Sequence, residues 1–347
     1  MKTNRALIVV IIFLVIWNCF LTAQYFVNTE SKEKENVTNV EVTGFSTDMS
    51  EVCSKVKSSV VSISSGGSIS SGFVYKSFDD GFYAVTCAHA ITDEQNISLI
   101  LDNDVRVSGE LVGRDIYSDI AVVKASCSFN VPESRIGDSE LLKDGEYLLI
   151  AGTPSSLEFH SSFTVAMVSD RLRTIMNSIT IDKATYSYYT SIIQLSADVS
   201  NGYSGAPLFN MAGECIGVIT MKAANEVAAI PMAEVKLVAD EIIGNGEVHK
   251  VIFGIKGEYI ADMETYTKAA LNINIEQVNG LYVSSTAVSS IASLAGIKSG
   301  DIIVSINGVE LNSYHDYLNI SYSGESVYAF SVYRAGETLE FTGIIND

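Results

Sequence analysis

The chain has 347 residues, 47% of them hydrophobic, and a formal net charge of −19. That length allows two or three domains with sizeable cores. An acidic balance of this size excludes nucleic acid as the main partner, because phosphate binding needs clustered Lys and Arg.

The first element is apolar. Residues Ala6 to Thr29 carry no charge, and "ALIVVIIFLVIW" is continuously hydrophobic. At about 1.5 Å per residue the stretch can span a hydrocarbon core of roughly 30 Å. Lys2 and Arg5 precede it and the mixed, slightly acidic "ESKEKE" follows, so the positive-inside rule puts the N-terminus in the cytoplasm and the body outside. A cleaved signal peptide shares the charged start and apolar middle. The long run and the poor "LTA" cleavage site favour an uncleaved anchor. A lipid anchor at Cys19 fits less well, because the bulky Trp17 and Asn18 precede it. Residues 30–47 are polar and read as a linker.

From Cys53 to about Pro231 short β-like runs repeat: "SVVSIS", "SGFVYK", "FYAVTCAHAI", "ISLIL", "RVSGELVG", "DIAVVKA", "YLLIAG" and "CIGVIT". Their length and spacing suit antiparallel barrels with many hairpins. "AEVKLVADEIIGNG" then turns helical, with Val235, Val238, Ile242 and neighbouring Leu237 as its apolar stripe and Gly244 or Gly246 as its stop. A second β-rich unit runs from Val251 to the end. The expected organisation is an anchor over 1–29, a linker over 30–47, a first β domain over 48–232, a connecting helix and linker over 233–250, and a second β domain over 251–347.

Chemistry is sought first in metals and nucleotides. The chain has no CxxC, no HExxH and no GxxxxGK[ST], so no metal or cofactor is expected. Cys53, Cys87, Cys127 and Cys215 read as small buried hydrophobes, with disulfides among them left open. "VSNGYSGAPLFN" sets Ser204 between Gly202 and Gly205, in a turn able to offer a hydroxyl. Such a nucleophile needs a histidine and a carboxylate. There are only four histidines. His89 ends the apolar run "AVTCAHAI", where a strand would deliver it to a rim. His160 lies in a polar loop, His249 in the connection and His315 in a probable helix. Asp119 heads the strand "IAVVKA", and Asp115, in the polar lead-in, is its competitor.

The order "TCAHA", "SDIAVVK", "NGYSGAPLFN" resembles the His–Asp–Ser order of chymotrypsin-like serine proteases, and the wording resembles their HtrA/Deg branch. The likeness continues through "SGFVYKSFDDGFYAVTCAHAI", "RIGDSELLKDGEYLLIAGTP" and "GECIGVITMKAANEVAAIPMAEV". Tyr203 and Ala206 stand where that family has Asn and a second Gly. The resemblance implies that Ser204 attacks the scissile carbonyl, His89 carries its proton and Asp119 orients the imidazole. The backbone N–H groups of Gly202 and Ser204 would bind the oxyanion.

"AGIKSGDIIVSINGV" resembles the core of a PDZ domain. Ile302, Val304 and Ile306 are expected to face its core alternately, and Asn307–Gly308 to make a tight hairpin turn. "VIFGIKG" looks like a carboxylate-binding loop. Phe253, Gly254 and Ile255 would present N–H groups to a C-terminal peptide, with Tyr314, Tyr317 and Leu318 of "SYHDYLNI" on the groove wall.

The fold expected is therefore mainly β: a double β-barrel chymotrypsin-like protease domain, then one PDZ domain, behind an N-terminal transmembrane helix. The resemblance implies a membrane-anchored extracytoplasmic serine endopeptidase and a homotrimer. Its substrates would be unfolded or exported proteins or a regulatory membrane protein, and C-terminal peptides would bind the PDZ domain. A catalytically weak PDZ adaptor and a membrane-anchored chaperone are the alternatives.

Overall fold

The computed structural model describes residues 17–18, 48–181, 184–223, 226–273 and 278–345. The expected anchor, apart from Trp17 and Asn18, lies outside them. No helix among the described residues is long and apolar enough to cross a membrane.

Helix α1 (Met49–Val56), N-capped by Asp48, leads into the first barrel and buries Val52 and Val56. Six antiparallel strands close that barrel: β1 (Val60–Ser65), β2 (Ser68–Phe78), β3 (Gly81–Cys87), β4 (Ile97–Ile100), β5 (Arg106–Asp115) and β6 (Ile120–Ser126). The β1–β2 hairpin turns on Gly66 and Gly67, both at positive φ (57° and 84°), the pair that a tight hairpin matching strand twist requires. The alternating apolar residues fill the barrel: Val61, Ile63, Val74, Phe82, Leu99 and Val123 form one buried cluster.

A second closed barrel follows from β7 (Tyr147–Gly152), β8 (Ser162–Ile181), β9 (Ala184–Ala197), β10 (Pro207–Phe209), β11 (Cys215–Ala223) and β12 (Glu226–Pro231). Strands β8 and β9 extend beyond the barrel as one long hairpin, paired from Ala166↔Ala197 out to Ile181↔Ala184. Helix α2 (Met232–Asn245) runs directly out of β12 and stops on Gly246, left-handed at φ 80°, whose N–H reaches Ile242 O. The expected stripe of Val235, Val238 and Ile242 is fully buried between the barrels beside Val52 and Val56. Burying each such side chain stabilises by about 1.5–3 kcal/mol. Leu237 turns instead toward the C-terminal domain.

That domain is a sheet of β13 (Ile255–Tyr259), β14 (Leu281–Thr286), β15 (Ile302–Ile306), β16 (Val309–Glu310), β17 (Val327–Arg334) and β18 (Glu337–Ile344). It carries α3 (Thr265–Ala270), α4 (Ile291–Ala295) and α5 (Tyr314–Ser321). Asn307 and Gly308, at φ 50° and 77°, make the expected turn. The expected alternation in β15 is corrected. Its register shifts between Ile303 and Ser305 against β17. Ile303 and Ile306 therefore enter the main core, while Ile302 and Val304 pack on the other face with Ile260 and Met263. A β-bulge adds one residue and breaks the period of two.

The two domains meet on a buried carboxylate. Glu234 of α2, 1% exposed, pairs with Lys250 and accepts from Tyr314 Oη (2.8 Å) and Tyr322 Oη (2.9 Å). Cys53, Cys87, Cys127 and Cys215 are all unbridged.

Candidate active site

Strand β3 ends at Cys87, and one 3-10 turn, Ala88–Ala90, then carries His89 to the junction of the barrels. The turn between β5 and β6 carries Asp119. Both Asp119 carboxylate oxygens lie close to His89 Nδ1, at 2.9 and 2.8 Å, and Oδ1 also accepts the His89 backbone N–H at 3.0 Å. On the other side of the ring, His89 Nε2 is 3.0 Å from Ser204 Oγ. Asp119 and Ser204, 30 and 115 positions from His89 in the chain, are thus joined with it in one hydrogen-bonded line.

The carboxylate has a further partner that the sequence reading missed, Thr220 Oγ, which donates to Asp119 Oδ2. Its only signal was a hydroxyl at the end of the apolar run "CIGVIT". Asp115 is buried and does not compete: it caps the turn, accepting from Tyr117 N (3.1 Å) and Ser118 N (3.0 Å). The hydrogen bond that His89 Nδ1–H donates to Asp119 raises the His89 pKa above its ordinary value, burial opposes it, and the Asp119 charge adds to the rise.

The nucleophile loop is fixed through its carbonyls. Ser200 O accepts from Tyr203 N (3.4 Å), Asn201 O from Ser155 N (2.7 Å), Tyr203 O from Ala206 N (2.9 Å) and Ser204 O from Ser71 N (2.9 Å). Gly202 O accepts from Ser71 Oγ at 2.7 Å. Among the described residues the N–H groups of Gly202 and Ser204 have no acceptor, so both are available to a developing oxyanion. Gly202 sits at φ 100°, and a Cβ there would come within 2.2 Å of Thr153 O. Gly205, at φ 84°, approaches Ser71 O even more closely. Both positions therefore exclude larger residues. The Tyr203 ring is buried in the second barrel's core cluster with Val199, Ala206 and Leu208. A cleft of about 840 Å³ opens over the triad, walled by Val199, Tyr203, Ile219, Thr220 and, from the β8–β9 hairpin, Asn177 and Tyr188.

Of the other histidines, His160 lies 3.4 Å from Asp104, His249 is exposed and His315 is the second residue of α5. None lines the cleft. Cys87 Sγ, His89 and Asp119 place potential metal-ligand atoms within 4.8 Å of one another. The imidazole and carboxylate already hold each other, and burial pushes the Cys87 thiol well above its ordinary pKa, which keeps it protonated and a poor ligand.

In the C-terminal domain a second cavity of about 550 Å³ lies between β13 and α5. Ile255, Tyr314, Tyr317 and Leu318 line it as expected. Phe253 and Gly254 are not among its lining residues, and their expected part is played by backbone N–H groups rather than side chains. The Phe253 ring is fully buried in the domain core, edge-on to Tyr317, Tyr328 and Phe330. Gly254, at φ 72°, lies against Ser290. Among the described residues their N–H groups have no acceptor, while their carbonyls accept from Ala292 N and Ala287 N. The opposite wall belongs to the β8–β9 hairpin, through Arg171, Leu172, Thr174 and Tyr189. Arg171 pairs with Asp262, and Tyr189 Oη is 3.2 Å from Ser285 Oγ.

Two six-stranded barrels with an assembled Ser–His–Asp line between them, in the chain order His, Asp, Ser, define the fold and site of a chymotrypsin-like serine peptidase domain, here with a PDZ domain behind it. Comparison with known proteins agrees. Residues 70–218 match the trypsin-like peptidase domain family and residues 275–327 the PDZ domain family. A serine protease HtrA-like of Staphylococcus aureus (strain MRSA252) is 32% identical over 283 residues, covering 78% of this chain and 36% of the relative. The homologue from strain USA300 is 31% identical over the same shares. The chain thus spans about a third of the length of the curated relatives it matches. Among solved structures, the HtrA-type protease AlgW with tripeptide is similar at a TM-score of 0.59 and 22% identity, covering 85% of this chain and 95% of that one. A serine endoprotease from Yersinia pestis is similar at 0.52 and 23%, covering 86% and 97%. The matches identify a trypsin-like peptidase domain and a PDZ domain in a chain similar to HtrA-like serine proteases.

Proposed function

We propose that the protein is a membrane-anchored, extracytoplasmic endopeptidase that cleaves misfolded or exported proteins or a regulatory membrane protein. The observation that carries the hydrolytic reading is the geometry of one histidine, held by Asp119 on Nδ1 and 3.0 Å from Ser204 Oγ on Nε2. Ser204 Oγ attacks the scissile carbonyl carbon as His89 Nε2 takes its proton. The carbonyl oxygen becomes an oxyanion facing the Gly202 and Ser204 N–H groups, each such donor being worth about 10²–10³ in rate. Collapse of the intermediate breaks the C–N bond, and His89 returns the proton to the leaving amine. Water, deprotonated by the same imidazole, then releases the acyl group. Asp119 stays ionised throughout and holds the imidazolium.

The location rests on the uncharged run from Ala6 to Thr29 behind Lys2 and Arg5. C-terminal peptides are read at the PDZ groove, where a peptide would add as a strand beside β13 and set its carboxylate on the free N–H groups of Phe253 and Gly254. Trimer formation follows the family resemblance.

The test is a fluorophosphonate serine probe on the full chain in detergent, with and without a peptide ending in an apolar residue, beside Ser204→Ala. Labelling of wild type alone supports the reading, and a gain with peptide supports coupling to the PDZ domain. Absence of labelling in both conditions overturns it in favour of a PDZ adaptor.

A further inference from the structure

The turn that carries Asp119 holds a conformation it would not keep alone. Asp119 lies at φ 60°, in the left-handed region where a residue with a Cβ is strained. Such strain persists only when the surroundings over-determine it. Part of the support is local: Asp115 caps the turn from within, and the Asp119 carbonyl accepts from Ala88 N at 3.0 Å. The rest comes from the other barrel. Tyr188, on the β8–β9 hairpin, donates through Oη to the Tyr117 carbonyl at 3.1 Å, two residues before Asp119. Its ring meets that of Tyr117 edge to face, with centroids 5.6 Å apart. Asn177 Nδ2 donates in turn to Tyr188 Oη at 3.2 Å, so the phenol hydroxyl is oriented from both sides. Burial, reinforced by the Asp115 and Asp119 charges, pushes this phenol up to about 12. It therefore remains a donor at every working pH.

Resting on the peptidase reading, we infer that Tyr188 is a positioning residue for the catalytic aspartate. Its hydroxyl, acting through the Tyr117 carbonyl, fixes the turn that aims the Asp119 carboxylate at His89 Nδ1. The second barrel thereby sets the basicity of a histidine carried by the first. Each barrel holds part of the other's chemistry, since Ser71 of the first barrel fixes the nucleophile loop of the second.

Tyr188 also lines the catalytic cleft, so a substrate-wall role and a purely structural role must be separated from positioning. Tyr188→Phe keeps the ring and removes the donor. Asn177→Leu removes the group that orients it and serves as the second variant. The first readout is a ¹⁵N-histidine NMR titration of the full chain in detergent, in a Ser204→Ala background. With four histidines in the chain, His89 is assignable by difference against His89→Gln. This readout is independent of turnover, so it stands even if Ser204 proves unreactive. The His89 pKa is expected to fall toward the ordinary histidine value in both variants. In the Ser204 protein the fluorophosphonate labelling rate at the upper pH plateau is expected to drop about fivefold, the worth of one hydrogen bond, with peptide KM little changed. A His89 titration that superimposes on the parent's overturns the inference. So does a loss confined to KM, or a lowered melting temperature with an unshifted His89.

Discussion

Ser71 Oγ donates to the Gly202 carbonyl at 2.7 Å, and the Ser71 backbone N–H donates to the Ser204 carbonyl at 2.9 Å. A strand of the first barrel thus grips the nucleophile loop of the second on both sides of Tyr203. Ser71 Oγ also accepts from Thr153 N at 2.9 Å, which orients the hydroxyl. Ser71→Ala is expected to slow probe labelling at least about tenfold, less than the ~10²–10³ lost when an oxyanion donor is removed outright. Labelling kinetics against an unchanged far-UV spectrum check this.

Activity should rise with pH and level off, because Ser204 can hand its proton only to a neutral imidazole. Asp119 raises the His89 pKa, so the midpoint is expected above the ordinary value of about 6.5. Thr220→Val removes a donor from the Asp119 carboxylate and leaves it freer to swing from His89, weakening its hold on the imidazolium. Asp119→Asn should lower the rate by ~10⁴, as in the general Ser–His–Asp template. A labelling profile that is flat from about pH 5 to 8 would contradict His89 as the base.

Restoring the family's Asn at Tyr203 should not improve catalysis. The ring is buried among Val199, Ala206 and Leu208, so Tyr203→Asn leaves a void and brings a buried amide. A loss of about 3 kcal/mol in urea-unfolding stability is expected, with no gain in labelling rate per folded molecule. A faster, equally stable variant would show that the ring obstructs the site.

Glu234→Ala strands Lys250, Tyr314 and Tyr322, all of which converge on that carboxylate. Removing one partner of a buried ion pair costs about 3–5 kcal/mol. Hydrogen exchange should accelerate in α5 and in the segment around Lys250 first, because these are the groups left unpaired. Uniform acceleration across both barrels would place the damage elsewhere.

Much of the fold was legible in the chain. The period of two in the β runs, the Asn–Gly turn and the stripe of α2 each express local backbone preference, which needs no knowledge of distant residues. The triad was legible for a different reason: four histidines and one Gly–x–Ser–Gly turn leave few combinations, and the order of motifs narrows them further. Where the local rule was interrupted, the reading of the chain went astray. The bulge between Ile303 and Ser305 reversed the expected alternation.

What only the tertiary structure decided lies at contacts between segments far apart in the chain. Thr220, Ser71 and Tyr188 are unremarkable hydroxyl residues in apolar strands, and no spacing marks them. They matter because barrel closure brings β2, β9 and β11 against the turns bearing Asp119 and Ser204. Sequence thus determined which residues do the chemistry, through residue type and local turns. The packing of one barrel on the other decided what holds them in place, since the direction of a hydrogen bond is fixed only when both partners have been brought together.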